Sequence, residues 1–397
     1  MQHSLRRACT RAAGATVALL LSAAWLSPVA SAAGHDRTAP AADPGGIVAA
    51  EPSEFRLSLG VPTATEAWRI EYASTAADGS SNTVSGSVIV PKDLRKGPRP
   101  LVTYAVGTVG MGDQCAPSAT NPTGGTVESL LINNALLRGW AVALTDYEGL
   151  GTPGDHTYTV GRAAGTAVLD AARAAQQLPA AQDRGVGADS PVGIMGYSQG
   201  GQASAWAAEL HASYAPELDV KGVASGGVPA ELTDVADHND GGDNAGFVLM
   251  SAIGHDAAHP ELGLDGYLND KGRALIAETR EGCTDEILDS AAGETIAENT
   301  TSNPLEEQDW QQRLAESTLG TQAPGFPAYV YHGGSDEIIP RHLGEGLRDD
   351  WCAEGNPVKW RSFAGQSHVG TAILGSLPAV QFLGERFEGG AVEDDCG

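Results

Sequence analysis

Hydrophobic and polar positions along the chain follow a rhythm that changes twice. Trp68 to Ser74 and Thr83 to Val90 are alternating or β-branched runs on either side of Asp78-Gly79-Ser80, the pattern of a hairpin, and Pro91 stops its second strand. Leu101 to Val106 (LVTYAV) is a short apolar run that predicts a buried strand leading into the glycine-rich loop GTVGMGDQ. Helix and strand then alternate. Val127 to Leu137 has helical apolar spacing and ends at Gly139, Trp140 to Thr145 reads as a strand, and Arg162 to Leu178 is an alanine-rich helix stopped by Pro179. A compact apolar run, Pro191 to Met195, precedes a second alanine-rich helix from Gln202 to Leu210, and Val220 to Ala224 is the next strand. Strands alternating with helices of this length predict a mostly parallel sheet covered on both faces.

From Pro229 to Gln322 the strand signal vanishes. This stretch is helical in pattern and carries 20 Asp and Glu against 4 Lys and Arg. The alternation then resumes, with strands at Pro327 to Tyr331 and Val358 to Phe363, a helix near Leu343 to Trp351 and a closing helix from Val369. The pattern predicts an α/β core in two parts, 51–228 and 323–397, with 229–322 as an inserted helical cap.

The ends of the chain change this picture. Arg6, Arg7 and Arg11, the apolar stretch Ala12 to Leu26 and Ala30-Ser31-Ala32 have the order of a cleaved export signal over residues 1–32, so a secreted, extracellular protein is expected. The apolar stretch is too short and too rich in small residues for a stable membrane anchor. Residues 33–50, mostly Ala, Pro and Gly, have little to bury and read as a mobile leader. Losing the signal removes three arginines and no acid, which takes the formal charge from −26 to −29. Such a charge excludes nucleic acid as a partner and disfavours an anionic membrane surface. The mature chain keeps Cys115, Cys283, Cys352 and Cys396, two disulfides in an exported protein with three connectivities open. The spacing contains no C-x-x-C, which argues against zinc.

The chemistry concentrates where the apolar run 191–195 meets Gly196-Tyr197-Ser198-Gln199-Gly200. A serine at the apex of a tight strand-to-helix turn needs small residues two positions away on both sides, because the turn brings backbone against backbone. Gly196 and Gly200 meet that need. A nucleophilic serine also needs an imidazole to take its proton and a carboxylate to fix the imidazole's tautomer. Asp336 follows the strand PAYVY, and His368 follows the strand VKWRSF, in the chain order serine, acid, histidine. Beyond Asp336 only His342 and His368 remain, and His342 falls at a helix start. Ser198, Asp336 and His368 are therefore the candidate nucleophile, acid and base. His332-Gly333-Gly334, on the acid's strand, reads as turn chemistry.

These residues, together with SGSVIVP, LINNALLRGWAVALTDYEGLG, GYSQGG and YHGGSDEIIP followed by QSH, resemble the secretory lipase family of lipase A type over most of the mature chain. The resemblance implies an α/β-hydrolase fold with a helical cap, and a carboxylic ester hydrolase acting on acyl esters such as acylglycerols through an acyl-enzyme. It implies no cofactor and no metal. It also implies backbone amides of Gln199 and of Asp146, in D-Y-E-G, as oxyanion donors, although the general rule for such sheets points instead to the loop near Thr108 and Val109. Gln199 stands where family members often have glycine, so its side chain is expected to narrow the pocket. The pairings Cys115 with Cys283 and Cys352 with Cys396 are implied likewise, the second pinning the C-terminal tail beneath the histidine loop.

Within the acidic segment, Ala245 to Ile253 is the densest apolar cluster. Phe247, Val248, Leu249, Met250 and Ile253 are the expected acyl-chain wall, against the plainer reading of a small core of the cap itself. His255 and His259 are spaced i, i+4 but lack the pattern of a zinc helix, the loop 237–242 departs from a calcium loop, and Asn299-Thr300-Thr301 is a glycosylation sequon. A small-molecule or lipid ester is the expected partner and a monomer the expected state. A serine exopeptidase or an acyltransferase of the same fold is the alternative, and a non-catalytic binding protein is disfavoured by the intact serine, acid and histidine.

Overall fold

The computed structural model describes residues 42–95, 97–125 and 128–397, so the export signal and the start of the leader lie outside the described residues. Nine strands make one sheet: β1 (Ile47–Ser53), β2 (Thr65–Thr75), β3 (Ser81–Pro91), β4 (Leu101–Ala105), β5 (Ala141–Tyr147), β6 (Val192–Tyr197), β7 (Val220–Gly226), β8 (Ala328–Gly333) and β9 (Val358–Phe363). Their order is β1-β2-β3-β5-β4-β6-β7-β8-β9. The first three are antiparallel, β3 also meets β5 antiparallel, and from β5 to β9 every neighbour is parallel. Every residue of β4, β5, β6 and β8 is buried, as strands covered on both faces must be.

The hairpin closes where Asp78-Gly79-Ser80 predicts it, with Thr75 opposite Ser81. The leader differs from expectation. Residues 47–50 belong to β1, paired along β2 from Ile47 opposite Tyr72 to Ser53 opposite Ala67. Five of its seven residues are exposed, so the strand is held by backbone hydrogen bonds that leave no hydrophobic pattern to read.

Helices α1 (Glu128–Leu136), α2 (Gly161–Gln177) and α3 (Gln199–Tyr214) connect the central strands. Alternation along β4 assigns the faces: the Thr103 hydroxyl donates to Val168 O of α2, while the Tyr104 hydroxyl donates to Glu128 of α1. Gly165 lets α2 approach α3, since a Cβ there would lie 2.9 Å from the Trp206 backbone. After β7 come α4 (Leu232–Asn239), α5 (Gly246–Ala258), α6 (Asp270–Thr279), α7 (Thr284–Ala291) and α8 (Gln308–Ala315), joined by shorter helical turns and, among the described residues, only isolated β-bridges. This helical block has its own buried cluster, which includes Met250, Ile253, Ile276, Ile287 and Trp310 and reaches Met111 and Tyr158 of the sheet's loops. The described residues nevertheless fall in one compact unit. Helix α9 (Arg341–Ala353) links β8 to β9, and α10 (His368–Phe387) closes the chain.

Both disulfides implied by the resemblance are present, Cys115 to Cys283 and Cys352 to Cys396. The tail beside the second lies along the first half of β9, where Asp395 N–H donates to Val358 O and its carboxylate accepts from Trp360 N–H. That is the end of the strand away from His368.

Candidate active site

Ser198 sits between β6 and α3 with φ 62° and ψ −124°, a conformation that costs a non-glycine residue roughly 1–3 kcal/mol and persists only where its surroundings enforce it. Here they do. A Cβ on Gly196 would lie 2.0 Å from Gly200 O, and one on Gly200 would lie 2.0 Å from Ala105 O, so both glycines are required by packing. The Ser198 N–H donates to Gly226 O at 2.9 Å, which ties the turn to β7.

Asp336 and His368, 32 residues apart in sequence, meet through His368 Nδ1, 2.8 Å from Asp336 Oδ2 and 3.0 Å from Oδ1. Their loops follow adjacent parallel strands, β8 and β9, which carries both to the same edge of the sheet. Asp336 Oδ1 also accepts from the backbone N–H groups of Ile338 and Ile339. Burial alone would raise its pKa, but hydrogen bonds from His332 and His368, with the Ile339 N–H, hold the carboxyl well below the usual carboxylate range. A carboxylate at Nδ1 makes that nitrogen the N–H and leaves Nε2 free to accept. His368 is fixed further by Tyr197, whose hydroxyl donates to His368 O at 2.7 Å and whose ring centroid lies 4.9 Å from the imidazole.

Sequence reasoning missed two supporting groups. His332, read as turn chemistry, is fully buried, with Nε2 3.0 Å from Ile339 O and 3.4 Å from Asp336 Oδ2. Glu128 was unmarked, yet both its carboxylate oxygens accept from Gly107 N–H, at 2.9 and 3.1 Å, and one also accepts from the Tyr104 hydroxyl. Burial pushes its pKa up to about 7. The only sequence signal was an acid at a helix start, which is common for reasons of helix dipole alone.

The two expected oxyanion positions part company. Gln199 opens α3 directly after Ser198, and its side-chain amide donates to His156 Nε2 at 2.9 Å, while His156 Nδ1 donates to Glu148 O. Burial pushes the pKa of His156 down to about 4, so the ring is neutral and accepts at Nε2. Asp146 lies on β5, two strands from β6, with its carboxylate enclosed by the Ser85 hydroxyl and the Ser118 N–H. It does not line the cavity beside Ser198. The loop after β4 comes closer: a Cβ on Gly107 would lie 3.3 Å from Tyr197 O, and the Thr108 hydroxyl is 2.8 Å from that of Tyr158, a cavity residue.

A cavity of about 90 Å³ opens on Ser198 and Gln199. Its wall includes Leu232 of α4, Phe247, Val248 and Leu249 of α5, and Ile276 of α6, and no Asp, Glu, Lys or Arg lines it. The expected acyl wall divides by helical phase. Phe247, Val248 and Leu249 face the cavity, whereas Met250 and Ile253 are fully buried in the block's own cluster. At 100° per residue one short apolar run serves both faces.

Of the remaining features, only Asn299 and Thr300 of the sequon line the cavity. His255 is fully buried, its pKa pushed down to about 3 by burial, and no group of side chains fit to hold a metal occurs among the described residues. Asp240 accepts from Ile296 N–H across its loop. Asn299 of the sequon is buried and donates to Glu294, which removes it from reach of a glycosylating enzyme.

A model of the secretory lipase family matches residues 116–394. A secreted triacylglycerol lipase of Malassezia furfur is 30% identical over 335 residues, 80% of this chain and 69% of the relative. A Mycobacterium tuberculosis protein named a probable inactive lipase is 28% identical over 371 residues, 88% and 80% of the two chains. Among solved structures, Candida antarctica lipase A superposes with a TM-score of 0.79 at 24% identity, over 89% of this chain and 84% of that one, so the sheet and its helices are those of an α/β-hydrolase. The chain belongs to the secretory lipase family.

Proposed function

We propose that this protein is a carboxylic ester hydrolase of the lipase type, in which Ser198 Oγ attacks the ester carbonyl, His368 Nε2 takes the hydroxyl proton and Asp336 stabilises the imidazolium. The alcohol leaves with that proton, and water then releases the acid from an acyl-serine by the same route in reverse order. The observation that carries the reading is the Asp336–His368 pair at 2.8 Å, at the sheet edge that also carries the strained Ser198 turn. For the oxyanion, the Gln199 N–H is the first donor, and the proximity of Gly107 to Tyr197 favours an amide of the Thr108–Val109 loop over that of Asp146 as the second. The Gln199–His156 bond acts on the first donor by locking the residue that bears it.

An uncharged cavity wall within a strongly acidic segment suits a fatty acyl chain and offers no carboxylate for a peptide's amine, so the ester reading is favoured over the exopeptidase. Triacylglycerols, named for the Malassezia furfur relative, are the proposed substrates. The relative named inactive makes a direct test necessary. A fluorophosphonate probe is expected to label the mature protein once and not to label Ser198→Ala, while nitrophenyl esters are cleaved and an aminopeptidase substrate is not. Labelling that persists at another serine would overturn the assignment.

A further inference from the structure

Helix α10 begins at His368 and then turns an apolar stripe outward. Val369, Ile373, Leu374 and Leu377, spaced i, i+4, i+5 and i+8, are 50–60% exposed, although a surface helix ordinarily shows polar residues there. Beside it lies α1, joined to α10 by Asn134 Nδ2 donating to Ser376 Oγ at 3.0 Å. Leu130 and Leu137, one on each side of Asn134 along the helix, are 45% and 76% exposed. The two stripes form one patch. In a chain of formal charge −26, residues 369–384 and 129–137 contain no Asp, Glu, Lys or Arg.

We propose that this patch docks the enzyme onto an uncharged lipid–water surface. A contiguous exposed apolar area marks an interaction site in a soluble protein, and charge selects the occupant. A second copy brings its own large negative charge, an anionic bilayer repels the acidic chain, and one arginine at the edge of the patch, Arg138 beside Leu137, offsets little of either repulsion. A surface of zwitterionic or neutral lipid meets no such opposition and buries the leucines and the isoleucine directly. Because α10 starts at His368, docking holds the serine–histidine–acid end of the sheet near the lipid. The biological sense of the proposal rests on the ester-hydrolase reading, but its test needs no catalysis.

The test uses the mature chain carrying Ser198→Ala and flotation with phosphatidylcholine vesicles, with and without one third phosphatidylglycerol. Binding to the neutral vesicles is expected, with weaker binding to the anionic ones. Ile373→Ser, Leu374→Ser and Leu377→Ser together are expected to cut the bound fraction at least tenfold with unchanged circular dichroism, and on the active background to leave nitrophenyl acetate hydrolysis unaltered. Leu377→Gln alone, at the most exposed of the three, is expected to lose about threefold and serves if the triple variant misfolds. Equal flotation of parent and variants, or no flotation of the parent, overturns the proposal. So does a dimer in light scattering that the substitutions dissociate without any vesicle binding, which would assign the patch to a second copy. Absence of ester hydrolysis with flotation intact would count against the catalytic reading alone.

Discussion

Adjacent residues of α5 should respond to truncation in opposite ways. Leu249 lines the cavity and is half-buried, while Met250 is fully buried among Ile253, Ile287 and Trp310. Met250→Ala removes a side chain from a packed cluster, and such truncations cost about 2–5 kcal/mol. Unfolding in urea should therefore shift by that amount, while the ratio of rates on long and short esters stays the same. Leu249→Ala removes part of the cavity wall, where a lost methylene contact is worth about 1–3 kcal/mol. Worked at about 1.4 kcal/mol, kcat/KM on a nitrophenyl decanoate should fall about tenfold, and on the acetate, whose acyl group ends short of the wall, it should hold within about twofold. Rates across acyl lengths from two to twelve carbons, beside urea curves for both variants, make the comparison. Equal losses at every chain length for Leu249→Ala, or a chain-length effect in Met250→Ala without destabilisation, would refute the division of the helix into a substrate face and a core face.

Asp336→Asn and His368→Ala should each lower kcat by on the order of 10⁴ with the fold intact, because the three groups act as one unit; near-full activity in His368→Ala with unchanged circular dichroism would place the base elsewhere. Glu128→Gln should change how stability depends on pH. Its folded pKa of about 7 lies above the ordinary 4.5, so the folded form binds the proton more tightly and wild-type stability falls, by about 3 kcal/mol from this group, as pH rises from about 4.5 to about 7. The glutamine variant lacks that term, and parallel stability–pH curves for the two proteins would show that burial does not raise the Glu128 carboxyl's pKa against its hydrogen bonds from Gly107 and Tyr104. Mass spectrometry of the unreduced mature protein should find two disulfides and no titratable thiol, and a free thiol in the denatured chain would count against both pairings.

The strands and helices of the α/β alternation were legible because burial leaves a period, two for a strand and 3.6 for a helix, and the turn glycines at 196 and 200 were legible because only backbone fits there. Strand β1 was not, because an edge strand that exposes its side chains is specified by hydrogen bonds common to every residue. Ser198, Asp336 and His368 stood out through order and strand-end position. His332 and Glu128 did not, since each acts on a neighbour that is distant in sequence or anonymous backbone. Asp146 entered only through its backbone amide in the D-Y-E-G motif; that its carboxylate is held by Ser85 and Ser118 was equally illegible, because both partners are distant in sequence. Met250 and Ile253 could be separated from Leu249 only with the helix placed, because composition carries no phase.

The Cys115–Cys283 bond spans 168 residues and lands where backbone already crosses, with Met111 N–H donating to Gly282 O and Thr284 N–H to Val109 O. Loop-closure arithmetic gives such a crosslink about 5 kcal/mol against the unfolded chain. Its mechanical consequence is larger than its thermodynamic one. The bond fastens α7 of the helical block to the stretch just after β4, in addition to contacts such as Ser251 with Thr159 and Ser317 with Gly161 elsewhere. The Met111–Gly282 and Thr284–Val109 hydrogen bonds hold the same corner without the sulfurs, so a reductant would loosen that corner while leaving every group around Ser198 chemically untouched.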